Sequence, residues 1–491
     1  MRDTKLLMDR REDYRLYATV QVDKSEVEGI EKKEVRDVLC RVYIPIKVTD
    51  TPLLHFYLTD EQAEVLEHPS VLSVLAEMKQ PNGSIDKISA SEVRLGTMHG
   101  TRWGPHVSDN ILIGEPLDLK VEHVLQGSKY HPESRTRGAF WLTPSKLLDP
   151  MNPRMTSYTG DVSIERKRRP GATLANGTEL IFDVYTRYRE MGTDETLMFT
   201  ELVAEFEINE DTRGTTKIDE IIPYLDDYLL LVSFVMEQRC VCLGYEASDS
   251  DSVTRFYRRS VVPPRIKEVR SMHDALVDVG NFKEFIRAAY QKFYETGPNA
   301  GLRRAIHYVI PDENDTIETS FIMLYAALET LVLNYRQQQG LGKILTNKKF
   351  KTLQEGLETW LRGHELLASE PEKSEQMIEK LLELNRVSFA TAFNKFCETY
   401  GVDLSDLWPV IGNEEGDSLS KIRNKLVHGE TFEETKYGAL IGAGEHLRWT
   451  VYRMIFALLG WPVSRTKISP EYLTNDFIHK TMKEDRATIT S

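Results

Sequence analysis

Cysteine is scarce in this 491-residue chain: Cys40, Cys240, Cys242 and Cys397 are all it has. Thiols so few and scattered do not frame a disulfide-built fold. Cys240-Val241-Cys242 could offer two metal ligands, but no Cys or His pair follows at zinc spacing, so burial in an apolar helix is their expected fate. Several enzyme signatures are missing as well. There is no His-Glu-x-x-His to hold a hydrolytic zinc. Gly340-Leu341-Gly342-Lys343 is not a phosphate loop, because no Gly stands five residues before Gly342 and no strand precedes it. No nucleophile elbow occurs. No uninterrupted apolar run is long enough to span a bilayer, and the polar start Met1-Arg2-Asp3-Thr4-Lys5 is not followed by a signal-peptide core. The expectation is a soluble cytoplasmic protein with no membrane partner. An excess of positive charge is also absent, since 62 Lys and Arg face 76 Asp and Glu for a net charge of −14. That excludes a broadly basic nucleic-acid coat protein. It leaves room for a local basic site, because binding follows the patch rather than the sum.

What is present is an ordinary globular balance, 41% hydrophobic and 28% charged residues, over a length that suits roughly two to four domains. Residues 1–215 read mostly as β structure. Residues 38–48 are strand-like, with Pro45 at an edge or bulge, and 53–58, 88–95, 110–113, 117–125 and 139–142 are further strands. Residues 60–78 read as a helix capped by Thr59 or Asp60, with Ala63, Leu66, Val71, Val74 and Leu75 on one side. Asn176-Gly177 makes a hairpin-type turn before two alternating segments, 179–189 and 197–208. Strands at such short spacing predict a sandwich or an open barrel. Arg166-Lys167-Arg168-Arg169 is a basic run beside a Pro-Gly turn. Its ordinary use is a solvated loop, and its sharper one is contact with an RNA phosphate backbone.

Composition shifts after residue 215. Residues 218–243 are apolar enough for a buried helix, residues 254–261 are strand-like, and the main linker falls near 260–270. From there the chain is helical, with helices at 282–294, from Thr316 or Thr319 through Val332, and at 350–361, 377–400, 418–428 and 435–459, where Pro462 stops the last. The predicted class is α+β. A β-rich domain spans 1–215, a connecting helix and strand 216–265, an antiparallel helical bundle 266–463, and a peripheral helix with a loose tail 464–491.

Within the bundle, residues 417–429 read as one short helix. Asp417 or Ser418 can cap its start. Leu419, Ile422 and Leu426 recur at helical spacing and give it a buried face. Gly429 can take the left-handed conformation that ends it. Arg423 and His428, five residues apart, differ by about 140° in direction and share a broad face. A guanidinium that can grip a phosphate oxygen and an imidazole that can move a proton together suit a phosphodiester. Their ordinary use is capping of a helix C-terminus.

Ile422-Arg423-Asn424-Lys425-Leu426-Val427-His428-Gly429 resembles the Arg-(polar)-x-x-x-His signature of the HEPN superfamily. Ala326-Ala327-Leu328-Glu329-Thr330-Leu331 resembles an earlier helix of its Apea-like branch, and Leu384-Asn385-Arg386-Val387-Ser388-Phe389 a stretch between the two. The resemblance covers residues 280–463. It implies a HEPN-type bundle whose protomers pair their Arg…His helices around one scissile phosphate, in a homodimer or a higher homo-oligomer. His428 would then move the 2′-OH proton or protonate the leaving 5′-oxygen. Arg423 would stabilise the charge on phosphorus, and Asn424 would orient the phosphate or His428. Such a nuclease needs no metal and no cofactor, and it leaves a 2′,3′-cyclic phosphate and a 5′-hydroxyl. Glu329, among apolar neighbours, needs a partner such as Arg423; its ordinary use is an exposed glutamate on the solvated edge of its helix. Lys421 and Lys425 would hold adjacent phosphates or lie on a solvated face. The family implies an endoribonuclease acting on RNA, tRNA among the candidates, in anti-phage defence by abortive infection. The β-rich half would then sense a trigger, phage-derived for instance, or restrain the nuclease. The alternatives are a non-catalytic nucleotide- or partner-binding protein and the toxin of a toxin–antitoxin pair.

Overall fold

The structure is a computed structural model that describes residues 13–23, 33–44, 50–62, 71–102, 108–124, 135–149, 154–158, 161–165, 170–190, 196–209, 214–249, 252–261, 274–295, 300–310, 316–368, 370–412 and 417–490. The chain divides into two compact units, 1–274 and 275–491.

In the first unit, six strands are β1 (Asp13–Asp23), β2 (Lys33–Tyr43), β3 (Leu53–Leu58), β4 (Val71–Lys79), β5 (Ile85–Arg102) and β6 (Ser108–Glu115). They follow one another in the order β5-β4-β1-β2-β3-β6, and β6 returns to β5, so the sheet closes into a barrel. Every pairing is antiparallel. Residues alternate in and out along each strand, as in β3, where Leu54, Phe56 and Leu58 are buried. Leu16, Val20, Val38, Val74 and Leu112 join them in the core. Two bulges bend the wall. Between the pairs Ala18–Val38 and Val20–Val35 the second strand carries an extra residue, and Asp37 there has φ +55°. Between Val74–Ala90 and Leu72–Val93 the extra length carries Glu92 at φ +47°. Bulges of this kind increase local twist, which a six-stranded closure requires. The barrel corrects the expectation of an open barrel or sandwich.

The helix expected over 60–78 is also corrected. Residues 60–62 are helical, but 71–79 form β4, paired with β1 on one side and β5 on the other. Leu72, Val74 and Ala76 fill the core at period two, and tertiary pairing overrides the helical spacing of the same apolar residues.

The sheet continues beyond the barrel through β7 (Asp118–Val124), β8 (Arg135–Leu142), a separate hairpin of β9 (Arg154–Tyr158) and β10 (Asp161–Glu165), then β11 (Gly171–Thr173), β12 (Glu179–Glu190) and β13 (Thr196–Asn209). Helix α1 (Gly214–Met236) follows, then β14 (Cys242–Ser248) and β15 (Ser252–Arg258). The long strand β5 is the shared edge: its first half pairs with β7, and from there the order runs β7-β15-β14-β8-β13-β12-β11. α1 lies over this extension. Its Tyr228 stacks on Phe182 of β12, its Asp219 accepts from Tyr245 Oη of β14 at 2.9 Å, and its Asp226 takes both arms of Arg258 at 3.0 and 2.9 Å. The helix and strands of 214–258 are thus built into the first unit. Cys240 and Cys242 lie past the end of α1 and at the start of β14, not inside a helix, and burial pushes their thiols up to about 11 and about 12. Pro45 and the basic run 166–169 fall outside the described residues.

The second unit is helical: α2 (Val279–Glu295), α3 (Ala300–Val309), α4 (Ile317–Gln338), α5 (Asn347–Gly363), α6 (Glu365–Ala368), α7 (Pro371–Lys380), α8 (Phe389–Tyr400), α9 (Leu419–Val427), α10 (Tyr437–Leu458), α11 (Pro470–Leu473) and α12 (Phe477–Thr490). α10 is the central element, packed against α3, α4, α8 and α12. Among the described residues α4 is long and apolar enough to cross a bilayer by length and composition. Here Phe321, Leu324, Leu328 and Leu331 are buried in the bundle. Thr316 starts α4 by accepting from Thr319 N–H at 3.2 Å. The continuous helix expected over 377–400 is broken into α7, a 3-10 turn and α8. Asn385 causes the break: its side chain accepts from Leu345 N–H at 2.7 Å and donates to Leu345 O at 3.0 Å. Ser388 then caps α8 on Thr391 N–H. The segment after 463 is not a loose tail. Leu473 and Ile489 are buried, and α12 packs along α10.

Candidate active site

The site residues expected in the bundle lie along α9, from Lys421 to the C-cap His428, with Glu329 facing Arg423 from α4. Ser418 is its N-cap by backbone geometry, yet no side chain caps the helix. Instead the carbonyls of Pro409 and Val410 accept from Leu419 and Ser420 N–H, each at 3.0 Å. Two of the free amides of the first turn are thereby satisfied. Leu419 and Ile422 are fully buried, and Leu426 only partly. At the other end Gly429 has φ +81°; its N–H bonds Leu426 O, and Glu430 N–H bonds Lys425 O. That pair of bonds is a Schellman ending, and it fixes His428 as the C-cap residue.

Arg423 projects onto α4. Its Nη2 lies 3.4 Å from Glu329 Oε1, its Nη1 donates to Asn424 Oδ1 at 3.2 Å, and its guanidinium lies over the Tyr325 ring at 5.6 Å. Arg423 and Glu329 are each about one-third exposed, at 31% and 37%. One N–H donor is hydrogen-bonded and a second nitrogen is ion-paired, and a guanidinium has five donors. Tyr325 Oη is 2.7 Å from Ser420 Oγ, and Ser420 donates its own proton to Val410 O at 2.7 Å. Tyr325 is therefore the donor to Ser420. Burial, and then the Glu329 carboxylate, hold its phenol above the usual range, against the opposing effects of Ser420 and Arg423. His428 and Asn424 are exposed, and the His428 imidazole has no hydrogen-bond partner among the described residues.

The two lysines face an acidic partner. Lys425 Nζ donates to Asp417 Oδ2 at 2.6 Å, and Lys421 Nζ lies 3.7 Å from Asp417 Oδ1. Asp417 is buried, its N–H bonded to Thr490 Oγ1 of α12 and its O to Trp408 Nε1. Lys421 and Lys425 thus neutralise a buried carboxylate. Asp417 and Tyr325 are the two residues with site contacts that the sequence reading did not assign there. Both had a signal in spacing, because Asp417 lies four residues before Lys421 and Tyr325 four before Glu329, each one helical turn away.

Among the described residues no group of three or more His, Cys, Asp or Glu side chains is placed to hold a metal ion. No model of a protein family matches the chain, and neither a curated protein nor a solved structure matches it.

Proposed function

We propose that the protein is a metal-independent endoribonuclease of HEPN type, with Arg423, Asn424 and His428 at the reacting phosphate and Glu329 positioning Arg423. One observation supports it most: Glu329 and Arg423, 94 positions apart in the chain, form an ion pair beside Asn424 and near the exposed end of α9 that carries His428. In this reading the RNA 2′-oxygen attacks phosphorus and the 5′-oxygen leaves. His428 takes the 2′-OH proton or supplies one to the 5′-oxygen, and the second copy of the helix in a homodimer supplies the other proton transfer. Arg423 directs its remaining donors at the charge building on phosphorus. A positioned acid/base and a fixed donor each contribute about two powers of ten or more. Asn424 Oδ1 faces Arg423, which leaves its amide N–H groups for a phosphate oxygen. Lys425 is bonded to Asp417, whereas Lys421, 45% exposed and 3.7 Å from it, leaves the pair one positive charge in excess for a phosphate flanking the scissile one. The proposed setting is anti-phage defence, with unit 1–274 sensing a trigger.

A second reading, a module that binds a nucleotide or a partner without cleaving, draws on the same observation, since Arg423 already has Glu329 and Asn424 as partners. Incubating total RNA and tRNA in EDTA with the wild type and with His428→Ala separates the two. Cyclic-phosphate ends made by the wild type alone support the nuclease. Cleavage by both proteins rejects His428 as the acid/base. If neither cleaves, toxicity on expression that depends on His428 points to a repressed nuclease, and nucleotide binding without toxicity points to the binding module.

A further inference from the structure

Positive charge is concentrated at one place on this acidic chain. Residues 330–354 and 384–397 carry seven Lys and Arg and no Asp or Glu, in a chain whose net charge is −14. The two segments meet at the neck where the chain leaves α4 and returns to α8. There Lys343 faces Arg386 across an isolated antiparallel bridge, and the Asn385 side chain holds both the N–H and the carbonyl of Leu345. Lys348, Lys349 and Lys351 follow in the first turns of α5, all exposed. Like charges directly opposite in an antiparallel pair are destabilising, yet the hydrogen-bond partner of Lys343 is the neutral Asn347 Oδ1, at 2.6 Å. Lys348, Lys349, Lys351 and Arg386 have no ion pair among the described residues. Of the carboxylates that border the two segments, Glu329 holds Arg423, and Glu355, Glu383 and Glu398 form no ion pair with these cations. Two other cations of the same lobe, Arg362 and Lys373, are by contrast paired, with Glu375 and Glu370.

We propose that this neck binds the phosphates of the RNA strand that runs out of the candidate site, an inference that rests on the nuclease reading. Arg336 connects the two places. It stands seven positions after Glu329 on α4, so it lies on nearly the same stripe, about 10 Å further along the helix. Its Nη1 donates to Val387 O at 3.2 Å, one residue past the bridge. A stacked strand covers that distance in about three nucleotides. Between Arg336 and Lys343 the side chains of Gln337, Gln338 and Gln339 are exposed, and nothing lies within 4 Å of where a Cβ of Gly340 or Gly342 would be. A polynucleotide backbone can therefore approach the chain closely there. Cations without protein partners release the counterions of a polyanion and bind it without regard to sequence. Continuity with Arg423 through α4 is what favours RNA over another anionic partner.

The probe is a fluorescein-labelled single-stranded oligouridylate of about sixteen nucleotides. It is titrated in EDTA into the full chain carrying His428→Ala, and anisotropy then reads binding without cleavage. Replacing Lys348, Lys349, Lys351 and Arg386 together by Ala in that background should weaken binding about tenfold or more. It should also flatten the slope of log affinity against log salt by about 3, at about 0.7 for each cation lost. Arg362→Ala with Lys373→Ala, which removes two cations already paired, should leave binding unchanged. All these side chains are exposed, and circular dichroism checks that the variants fold. No binding of the oligonucleotide, or equal losses in the two charge variants, would overturn the proposal. So would capture of phosphatidylserine vesicles in place of RNA, a role that the exposed Ile344 and Leu384 beside the neck would also serve. Failure of the nuclease reading shows separately. Neck-dependent binding by a wild-type chain that leaves RNA intact keeps the neck and removes the cleavage. His428-dependent cleavage with binding indifferent to the neck keeps the site and overturns the neck.

Discussion

Asp417 decides what the lysines around the Arg…His helix can do. Its carboxylate is buried and takes both Lys421 and Lys425, so removing Lys425 leaves it only the longer contact to Lys421 in a place where water cannot fully reach it. Lys425→Ala is therefore predicted to lower stability by about 1–2 kcal/mol, a figure reduced because Lys425 is one-third exposed and water screens the pair. RNA cleavage by the folded variant should stay near wild type. Urea unfolding with a single-turnover cleavage assay reads both, and a large loss of cleavage in a stable Lys425→Ala protein would return that lysine to the phosphate-binding role. Glu329→Gln should behave in the opposite sense. The Glu329–Arg423 pair is partly exposed and worth less than about 1 kcal/mol to folding, but a misaimed guanidinium should cost cleavage about tenfold or more. Equal losses of stability and activity, or no loss of activity, would assign Glu329 to the solvated edge of α4.

Elements are held by backbone positions as much as by side chains. Gly244 sits at the bulge where β14 passes β8, at φ +140°, and a Cβ there would fall 1.8 Å from Phe256 O. No rotamer relieves a Cβ clash with backbone, so Gly244→Ala is predicted to cost several kcal/mol and to show as a large drop in melting temperature or as insoluble protein. Gly177→Ala, at φ +85° in an open turn with nothing near, should cost only about 1 kcal/mol. Much of this level was legible in the sequence. The alternation of residues 53–58 places β3, Asn176-Gly177 places the β11–β12 turn, and the apolar spacing with Gly429 places α9. What was not legible depends on partners distant in the chain. Nothing local says that β6 returns to β5, and the bulges that help closure carry Asp37 and Glu92 rather than glycine. Val71-Leu72-Ser73-Val74-Leu75-Ala76 satisfies helix and strand alike, and only its pairing with β1 and β5 chooses. The break at Asn385 is of the same kind, because it is made by Leu345, forty residues earlier. The site followed this rule too: the motif helix was visible, whereas the use of Lys421 and Lys425 depended on how deeply Asp417 is buried.

At the scale of the whole molecule, the net charge of −14 says little about acid stability, to which two groups of the helical unit contribute, the buried His446 and the partly buried Asp406. His446 on α10 is fully buried, and its Nδ1 accepts from Trp408 N–H at 3.3 Å. Trp449 and His479 surround the ring. Burial, and then the neighbouring His479, lower its pKa to about 4. The unfolded chain binds the proton first, so this contribution is complete above the ordinary histidine value near pH 6.5 and is lost as pH falls to about 4, up to about 3 kcal/mol. Asp406 adds a second step. Burial pushes its carboxyl up, but the two-armed bond to buried Arg453 outweighs that and holds it below the usual range. Its contribution is present above the ordinary carboxylate value and is lost only as pH falls further, through its lowered folded value. Unfolding by urea between pH 7.5 and 4 should therefore show stability falling first across the histidine window. His446→Gln should flatten that slope while lowering stability at pH 7.5, because the Trp408 N–H loses its imidazole acceptor. A wild-type stability that is level from pH 7 to 5, or a slope unchanged in His446→Gln, would mean that the imidazole is reached by water and that the acid sensitivity of the helical unit has another source.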